Sequence, residues 1–167
     1  MALFDLSNPP RLDATPRSGV LSQRDAKTLV PSGIKNASRR AVAEGLMLLW
    51  HDHWDAAHKV AQTDEGEPDH DLLHAIAHRR EGDFGNSGYW FRGAGDHPSF
   101  PGIAARVAGA IPEGHALRAK ILPGGKWDPL AFGAAVKKGL KGPEEPLLRA
   151  VQAQEIMGYH EWLAGTR

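Results

Sequence analysis

Residues 74–92 organise the chain, and their sequence is HAIAHRREGDFGNSGYWFR, with His97-Pro98 just beyond. This window contains more side chains that can ligate a metal, form an ion pair or titrate than any other, and it also contains several aromatic residues. A second unusual run lies upstream at residues 50–62, with the sequence WHDHWDAAHKVAQ. We interpret the two runs as two halves of one site.

The composition is that of an ordinary globular protein: 167 residues, 41% hydrophobic and 24% charged, with no cysteine. One domain of this length can bury a core without disulfides, and metal ligands are restricted to His, Asp and Glu. The net charge is zero and no basic stripe is present, so we expect no nucleic-acid partner. The chain shows no signal-peptide pattern and no run of roughly 18 apolar residues, so we expect no membrane partner and a cytoplasmic location.

Helical spacing predicts an all-α fold. Ser38 is the expected N-cap of a first helix that runs to about Gln62 and is apolar almost all round in its middle. Asp69 is the expected cap of a second helix, which Gly82 ends. Residues 83–97 are expected to form a glycine-rich loop around one helical turn at residues 87–92.

Further helices are expected at about 99–110, at 128–138 after the N-cap and proline of Asp128-Pro129, and from residue 143 to about 164. No strand alternation and no internal repeat is present. We therefore predict a single-domain helical bundle with long irregular connections. Residues 1–37 form an irregular N-terminal arm in this prediction, with one turn near Ser22, and residues 38–167 form the helical domain.

Two polar stripes follow the first two helices at helical spacing. The first contains His51, Asp55, His58 and Gln62; the second contains His70, His74, His78 and Glu81. Histidines one helical turn apart can reach a single point beside their helix, which is how such pairs hold zinc or iron.

We therefore predict a divalent transition metal (Zn, Fe or Ni) bound by His58, His74 and His78, with Asp55 or His51 as the next candidates for the third ligand. Glu81 or Asp55 would then activate a metal-bound water. Ala75 stands where a zincin His-Glu-x-x-His motif has its glutamate, so the zincin pattern is absent.

A second set of polar side chains could hold a small molecule. A glycine-rich segment with an amide, a phenol and a guanidinium is suited to line a pocket for an anionic or polar ligand. The candidate ligand-binding residues are Gln62, Arg79, Asn86, Tyr89, Arg92 and His97.

Arg79 and Arg80 point about 100° apart on a helix, so they cannot share one role. We expect Arg80 to form a buried ion pair with Asp83 or Glu44, and Arg79 either to do the same or to face the ligand.

The pattern Asp55-x-x-His58-x-x-x-Gln62, followed by His74-x-x-x-His78-Arg-Arg-Glu-Gly-Asp-Phe-x-Asn86-x-x-Tyr89-Trp-Phe-Arg92-x-x-Gly95-x-His97-Pro98, resembles that of a family of uncharacterised bacterial and fungal proteins. The resemblance covers about residues 40–100. It implies that the two runs form one site and implies no reaction.

Three classes of function stay open at this point. The first is a metal-dependent, hydrolase-like enzyme. The second is a non-enzymatic module that binds an anionic small molecule through Arg79, Arg92, Asn86 and cationic histidines. The third is a scaffold in which the polar network only fixes the helix register. The sequence does not determine the oligomeric state.

Overall fold

The computed structural model describes residues 3–165, and these residues are helical without any strand. This confirms the predicted all-α, single-domain bundle. The helices are α1 (Gln23–Thr28), α2 (Ala37–Trp50), α3 (Trp54–Ala61), α4 (Pro68–Glu81), α5 (Phe84–Ala94), α6 (Phe100–Ala110), α7 (Ala116–Ile121), α8 (Pro129–Gly139) and α9 (Glu145–Gly165). Short 3₁₀ turns lie at Gln62–Asp64 and Pro123–Gly125. Between residues 3 and 165, no helix is long and apolar enough to cross a membrane.

Helix α2 lies at the centre of the core. Its second half, from Gly45 to Trp50, is buried, as the apolar residues around its circumference predict. It packs against α3, α4 and α9, and α4 in turn packs against α3 and α5. Helix α4 is therefore covered on several sides, so the polar side chains that it carries are inside the protein.

The predicted first helix is two helices, because the chain turns sharply at Asp52. Asp52 has a left-handed backbone with φ of 63°, a conformation that Asp and Asn tolerate better than other non-glycine residues. Its buried carboxylate accepts hydrogen bonds from the Arg17 side chain at 2.7 Å and from Arg80 at 2.9 Å. These two contacts fix the turn, so His51 at the end of α2 is not part of one continuous stripe with His58.

Two helix starts differ from the prediction by one or two residues. The N-cap of α2 is Asn36, whose side chain accepts from the Arg39 amide, while the Ser38 hydroxyl hydrogen-bonds His70 at 3.0 Å. Helix α4 begins at Pro68, which suits the first helical position because it has no N–H to satisfy. The predicted end of α4 is confirmed, since Gly82 is left-handed with φ of 92°.

Residues 83–97 were expected to be mostly loop, and this prediction was wrong. Helix α5 fills Phe84–Ala94, capped by the Asp83 side chain, which accepts from the Asn86 amide at 3.0 Å. Its glycines serve packing as well as flexibility. A Cβ on Gly93 would lie 3.1 Å from Oδ2 of the buried Asp71 on α4. Glycine thus allows the two helices to approach closely.

The described part of the N-terminal segment lies against the bundle. It contains α1, capped by Ser22 as the sequence suggested. Two side chains of α9 bind its backbone: the buried Gln152 donates to the Arg11 carbonyl at 2.8 Å, and Arg149 donates to the Pro9 and Pro10 carbonyls. The division into an arm and a helical domain stays a prediction.

Candidate metal centre

Three histidine side chains converge between α3 and α4. The Nε2 atom of His58 lies 2.9 Å from Nε2 of His74 and 3.2 Å from Nε2 of His78. One ligand atom from each of the three residues lies within 4.8 Å of the other two. We call His58, His74 and His78 the histidine triad. The predicted convergence of the two sequence runs is confirmed.

The triad forms because α3 and α4 run in opposite directions after a short turn. His70, near the start of α4, contacts the carbonyls of Val60 and Ala61 at the end of α3. One and two turns further along α4, His74 and His78 reach His58, which lies earlier in α3. Consecutive helices joined by a short connection pack in this way, so the helical spacing of the sequence leads directly to the triad.

The triad is mostly covered by protein, and one of its rings is held by stacking. His74 is 2% exposed and His78 is 8% exposed, while His58 is partly exposed. The His74 ring stacks on Trp90 with centroids 4.1 Å apart, and on His78 at 4.8 Å. Trp90 is half-buried, packs against the core and supports the triad through this stacking.

Burial keeps at least two of the three imidazoles neutral at physiological pH. It lowers the pKa of His74 to about 4, and the neighbouring His58 and His78 add to this effect. Burial also lowers the pKa of His58, and the neighbouring His78 adds to this effect. Neutral imidazoles present nitrogen lone pairs, which a metal ion requires.

A carboxylate selects the tautomer of His78. Oε2 of Glu81 lies 3.0 Å from Nδ1 of His78, so the Nδ1–H donates to it and the Nε2 lone pair faces the other two histidines. Nδ1 of His74, by contrast, is buried and has no hydrogen-bond partner. The nearest acid is Glu65, whose Oε1 lies 3.9 Å away. Glu65 was not among the predicted site residues, because it lies in the turn between α3 and α4, outside both helical stripes.

Several predicted site residues have structural partners elsewhere. Arg79 is fully buried and forms an ion pair with Glu155 of α9, so it does not face a ligand beside the triad. Arg80 pairs with Asp52 rather than with Asp83 or Glu44. Which carboxylate each arginine pairs with depends on the segment that packs against α4 in the core. That segment is α9 for Arg79 and the turn at Asp52 for Arg80.

The other predicted site residues are found in three environments. Some bond a helix-capping residue, some form ion pairs, and some are exposed on the surface. His97 is buried between Asp69 and Ser99, at 2.8 and 2.7 Å. The Asn86 side chain donates to Asp83, and Asp55 forms an exposed ion pair with Lys59. The exposed residues are Gln62, Tyr89 and Arg92.

A surface cleft of about 540 Å³ borders the triad on the α5 side. Trp90 and Glu65 form part of its wall, and each also contacts or approaches His74. Tyr89 and Arg92 line the same cleft. Two of the predicted ligand-binding residues therefore share one surface next to the triad, whereas Arg79, Asn86 and His97 are engaged elsewhere.

Comparisons of the chain with protein-family models, with curated proteins and with solved structures found no significant match. The function therefore has to be argued from the site itself.

Proposed function

We propose that the protein binds a divalent transition-metal ion through the Nε2 atoms of His58, His74 and His78, and that it acts as a metal-dependent, hydrolase-like enzyme. The observation that carries this proposal is the convergence of three nitrogen atoms at 2.9 and 3.2 Å. Tetrahedral zinc with Zn–N bonds of about 2.0–2.1 Å places its ligand nitrogens roughly 3.3–3.4 Å apart, close to this spacing.

The donor set favours zinc, iron or nickel, because imidazole suits these ions and the chain contains no thiolate. Three protein ligands leave a fourth position for water or substrate, as in catalytic zinc sites. An ion bound there would lower the pKa of a coordinated water to about 7 and so supply a nucleophile at neutral pH.

The protein residues around the triad have distinct roles in this proposal. Glu81 orients His78 through Nδ1, so we assign it a positioning role rather than water activation. Asp55 is exposed and paired with Lys59, which leaves it without a role at the metal. His58 is the most exposed of the three ligands and marks the side from which solvent reaches the site.

The two other classes of function have less support. An anion-binding module needs several free cations, but Arg79 is paired with Glu155 and His97 with Asp69, which leaves Arg92 as the arginine of this set that lines the cleft. A scaffold network would satisfy its buried polar atoms, since an unpaired one is costly. Nδ1 of His74 is buried without a hydrogen-bond partner. Among the described residues, Nε of Arg79 and four other side-chain nitrogens share this state, so it is the position of His74 in the triad that favours a metal site.

Metal titration of untagged protein, after removal of metals with a chelator, tests the first part of the proposal. We expect one zinc or cobalt ion per chain by calorimetry, and a cobalt absorption spectrum typical of a four-coordinate site. His74→Ala and His78→Ala should abolish both signals. His115→Asn is the matched control, because this histidine lies far from the triad in sequence and only caps α7, a role that Asn can take. Equal binding by the wild-type and His74→Ala proteins would refute the site.

The fourth coordination position tests the enzymatic part. Azide or thiocyanate added to the cobalt-loaded protein should shift its visible spectrum, because an open position exchanges its water for a small anion. Hydrolysis of activated phosphate and carboxylate esters should then depend on the metal and be lost in His74→Ala. A cobalt spectrum that is insensitive to both anions would indicate a closed, structural site.

A further inference from the structure

Within the triad, Nδ1 of His74 is buried and has no hydrogen-bond partner. The His74 side chain is only 3% exposed, so water does not readily replace the missing partner. Oε1 of Glu65 lies 3.9 Å from this atom, about one ångström beyond hydrogen-bond length.

Metal binding at Nε2 determines whether Nδ1 of His74 is a hydrogen-bond donor or an acceptor. When Nε2 of a neutral imidazole coordinates an ion, the ring proton is on Nδ1, which then becomes a donor. Metal-bound histidines almost always donate this proton to a carboxylate, a carbonyl or water. His74 would therefore have a buried donor pointing towards Glu65.

The local backbone holds Glu65 in place while its side chain remains free to turn. The Gly66 amide donates to Oδ1 of Asp71 at 2.9 Å, and the Glu67 amide donates to the Asp64 carbonyl at 3.2 Å. The Glu65 side chain itself is 48% exposed, so a change of rotamer meets little resistance. The carboxylate oxygen has to move by about one ångström to reach hydrogen-bond distance of Nδ1.

The same arrangement is already complete at the neighbouring ligand. His78 donates from Nδ1 to Glu81 at 3.0 Å. Glu65 precedes His74 by nine residues and Glu81 follows His78 by three, so each histidine of α4 has a different carboxylate as its neighbour. Two carboxylates also balance the charge of a divalent ion bound by neutral ligands.

We propose that Glu65 is a positioning residue that closes on Nδ1 of His74 when a metal ion binds to the triad. This inference rests on the proposed metal site. It assigns to the turn between α3 and α4 a role in fixing the tautomer and orientation of one ligand. Metal loading should therefore order the Glu65 side chain against the wall of the cleft.

Zinc affinity of three variants, measured by competition with a chromophoric chelator, tests the inference. Glu65→Ala should bind zinc about 10- to 100-fold more weakly than wild type, the usual cost of removing such a partner. Glu65→Gln keeps an acceptor oxygen and should lose less. Glu67→Ala is the matched control, because Glu67 has the same charge in the same turn and its side chain makes no capping bond.

Proton NMR adds a readout that a merely structural role would not change. The zinc-loaded wild type should show a downfield, slowly exchanging N–H signal that ¹⁵N labelling assigns to His74 Nδ1. Glu65→Ala should lose this signal, while Glu67→Ala keeps it. Melting temperatures of both variants in chelator should match the wild type.

The outcomes separate this inference from the proposed function. If wild type does not bind zinc, both fail. If zinc binding depends on His74 but Glu65→Ala retains wild-type affinity and the N–H signal, only the role of Glu65 is refuted. Equal losses in Glu65→Ala and Glu67→Ala would reveal a general charge effect and also overturn it.

Discussion

Helix α4 carries two arginines and two triad histidines on different faces. The side chains of the two faces have different kinds of interaction partner. Arg79 and Arg80 are fully buried, and each forms an ion pair with a buried carboxylate. His74 and His78 are nearly as buried, yet they contact chiefly each other, His58 and Trp90.

On the arginine face, formed by Arg79 and Arg80, each buried charge has a carboxylate partner. Nη1 of Arg79 donates to Glu155 at 3.0 Å, and its guanidinium lies 4.7 Å from the Phe132 ring centroid. Arg80 donates to Asp52 and to the Leu49 carbonyl. Burial lowers the pKa of Arg80 to about 10, an effect that Asp52 partly offsets, so this guanidinium is still charged at neutral pH.

On the histidine face, only His78 has a carboxylate within hydrogen-bond distance, Glu81 at 3.0 Å. The Nε2 atoms of the triad are close together, and Nδ1 of His74 has no acceptor. Each of the two faces has one buried nitrogen without a hydrogen-bond partner, Nε of Arg79 and Nδ1 of His74, but only the histidine face brings three Nε2 atoms together, and this convergence supports the proposed metal site. The predictions below test this contrast.

The largest expected effect is on the arginine face. Glu155→Ala leaves Arg79 buried and unpaired, and should reduce the free energy of unfolding by about 3–5 kcal/mol. Urea denaturation in the presence of chelator measures this. The double variant Arg79→Met/Glu155→Leu should be considerably more stable than Glu155→Ala, because neither charge remains buried. A loss below about 1 kcal/mol in Glu155→Ala would contradict the assignment.

Asp52→Asn should cost about 1.5–3 kcal/mol at pH 7, because Arg17 and Arg80 lose a charged acceptor while Asn still tolerates the left-handed backbone. Burial opposes ionisation of Asp52, but the two arginines lower its pKa below 3.8. Its stabilising contribution is therefore present above about pH 4 and disappears as the pH falls through the lower, folded-state pKa.

Denaturation of wild type and Asp52→Asn at several pH values measures this difference. The gap in stability between the two proteins should be constant from pH 7 to pH 5 and should narrow below about pH 4. A gap that is already closed at pH 5 would show that the carboxylate is not held by the arginines.

A smaller effect is expected at the histidine face. Glu81→Ala removes the acceptor of His78 Nδ1 and should weaken zinc binding about 10- to 100-fold. Stability in chelator should change by less than about 0.5 kcal/mol, since Glu81 is exposed at the end of α4. Glu113→Ala, at another exposed position, is the control. An unchanged zinc affinity would mean that His78 needs no carboxylate.

The smallest effect is expected for Asp55→Ala. The sequence assigned Asp55 to the site, but its carboxylate is exposed and paired with Lys59 at 2.7 Å. Such pairs contribute about 0.3–0.5 kcal/mol on a helix surface. Thermal denaturation should detect little change, and calorimetry should find zinc affinity within about twofold of wild type. A tenfold loss would return Asp55 to the site.

Local periodicity was enough to predict much of the site. Residues four apart in a helix face the same side, so the spacing of His74 and His78 already placed both imidazoles together. The polar stripe that contains His58 placed the third ligand on the preceding helix. The left-handed Gly82 and the start of α8 at Asp128-Pro129 were likewise local signals, and both are confirmed.

Tertiary packing decided the rest. Arg79 pairs with Glu155, which lies 76 positions away in the chain, and no local pattern shows that α9 would bring it there. Asp52 breaks the first predicted helix because Arg17 and Arg80 reach its carboxylate from two other segments. Periodicity is a property of one helix, whereas the partner of a buried charge depends on which helices pack together. The sequence therefore determined the histidine triad, and only the folded structure determined which residues surround it.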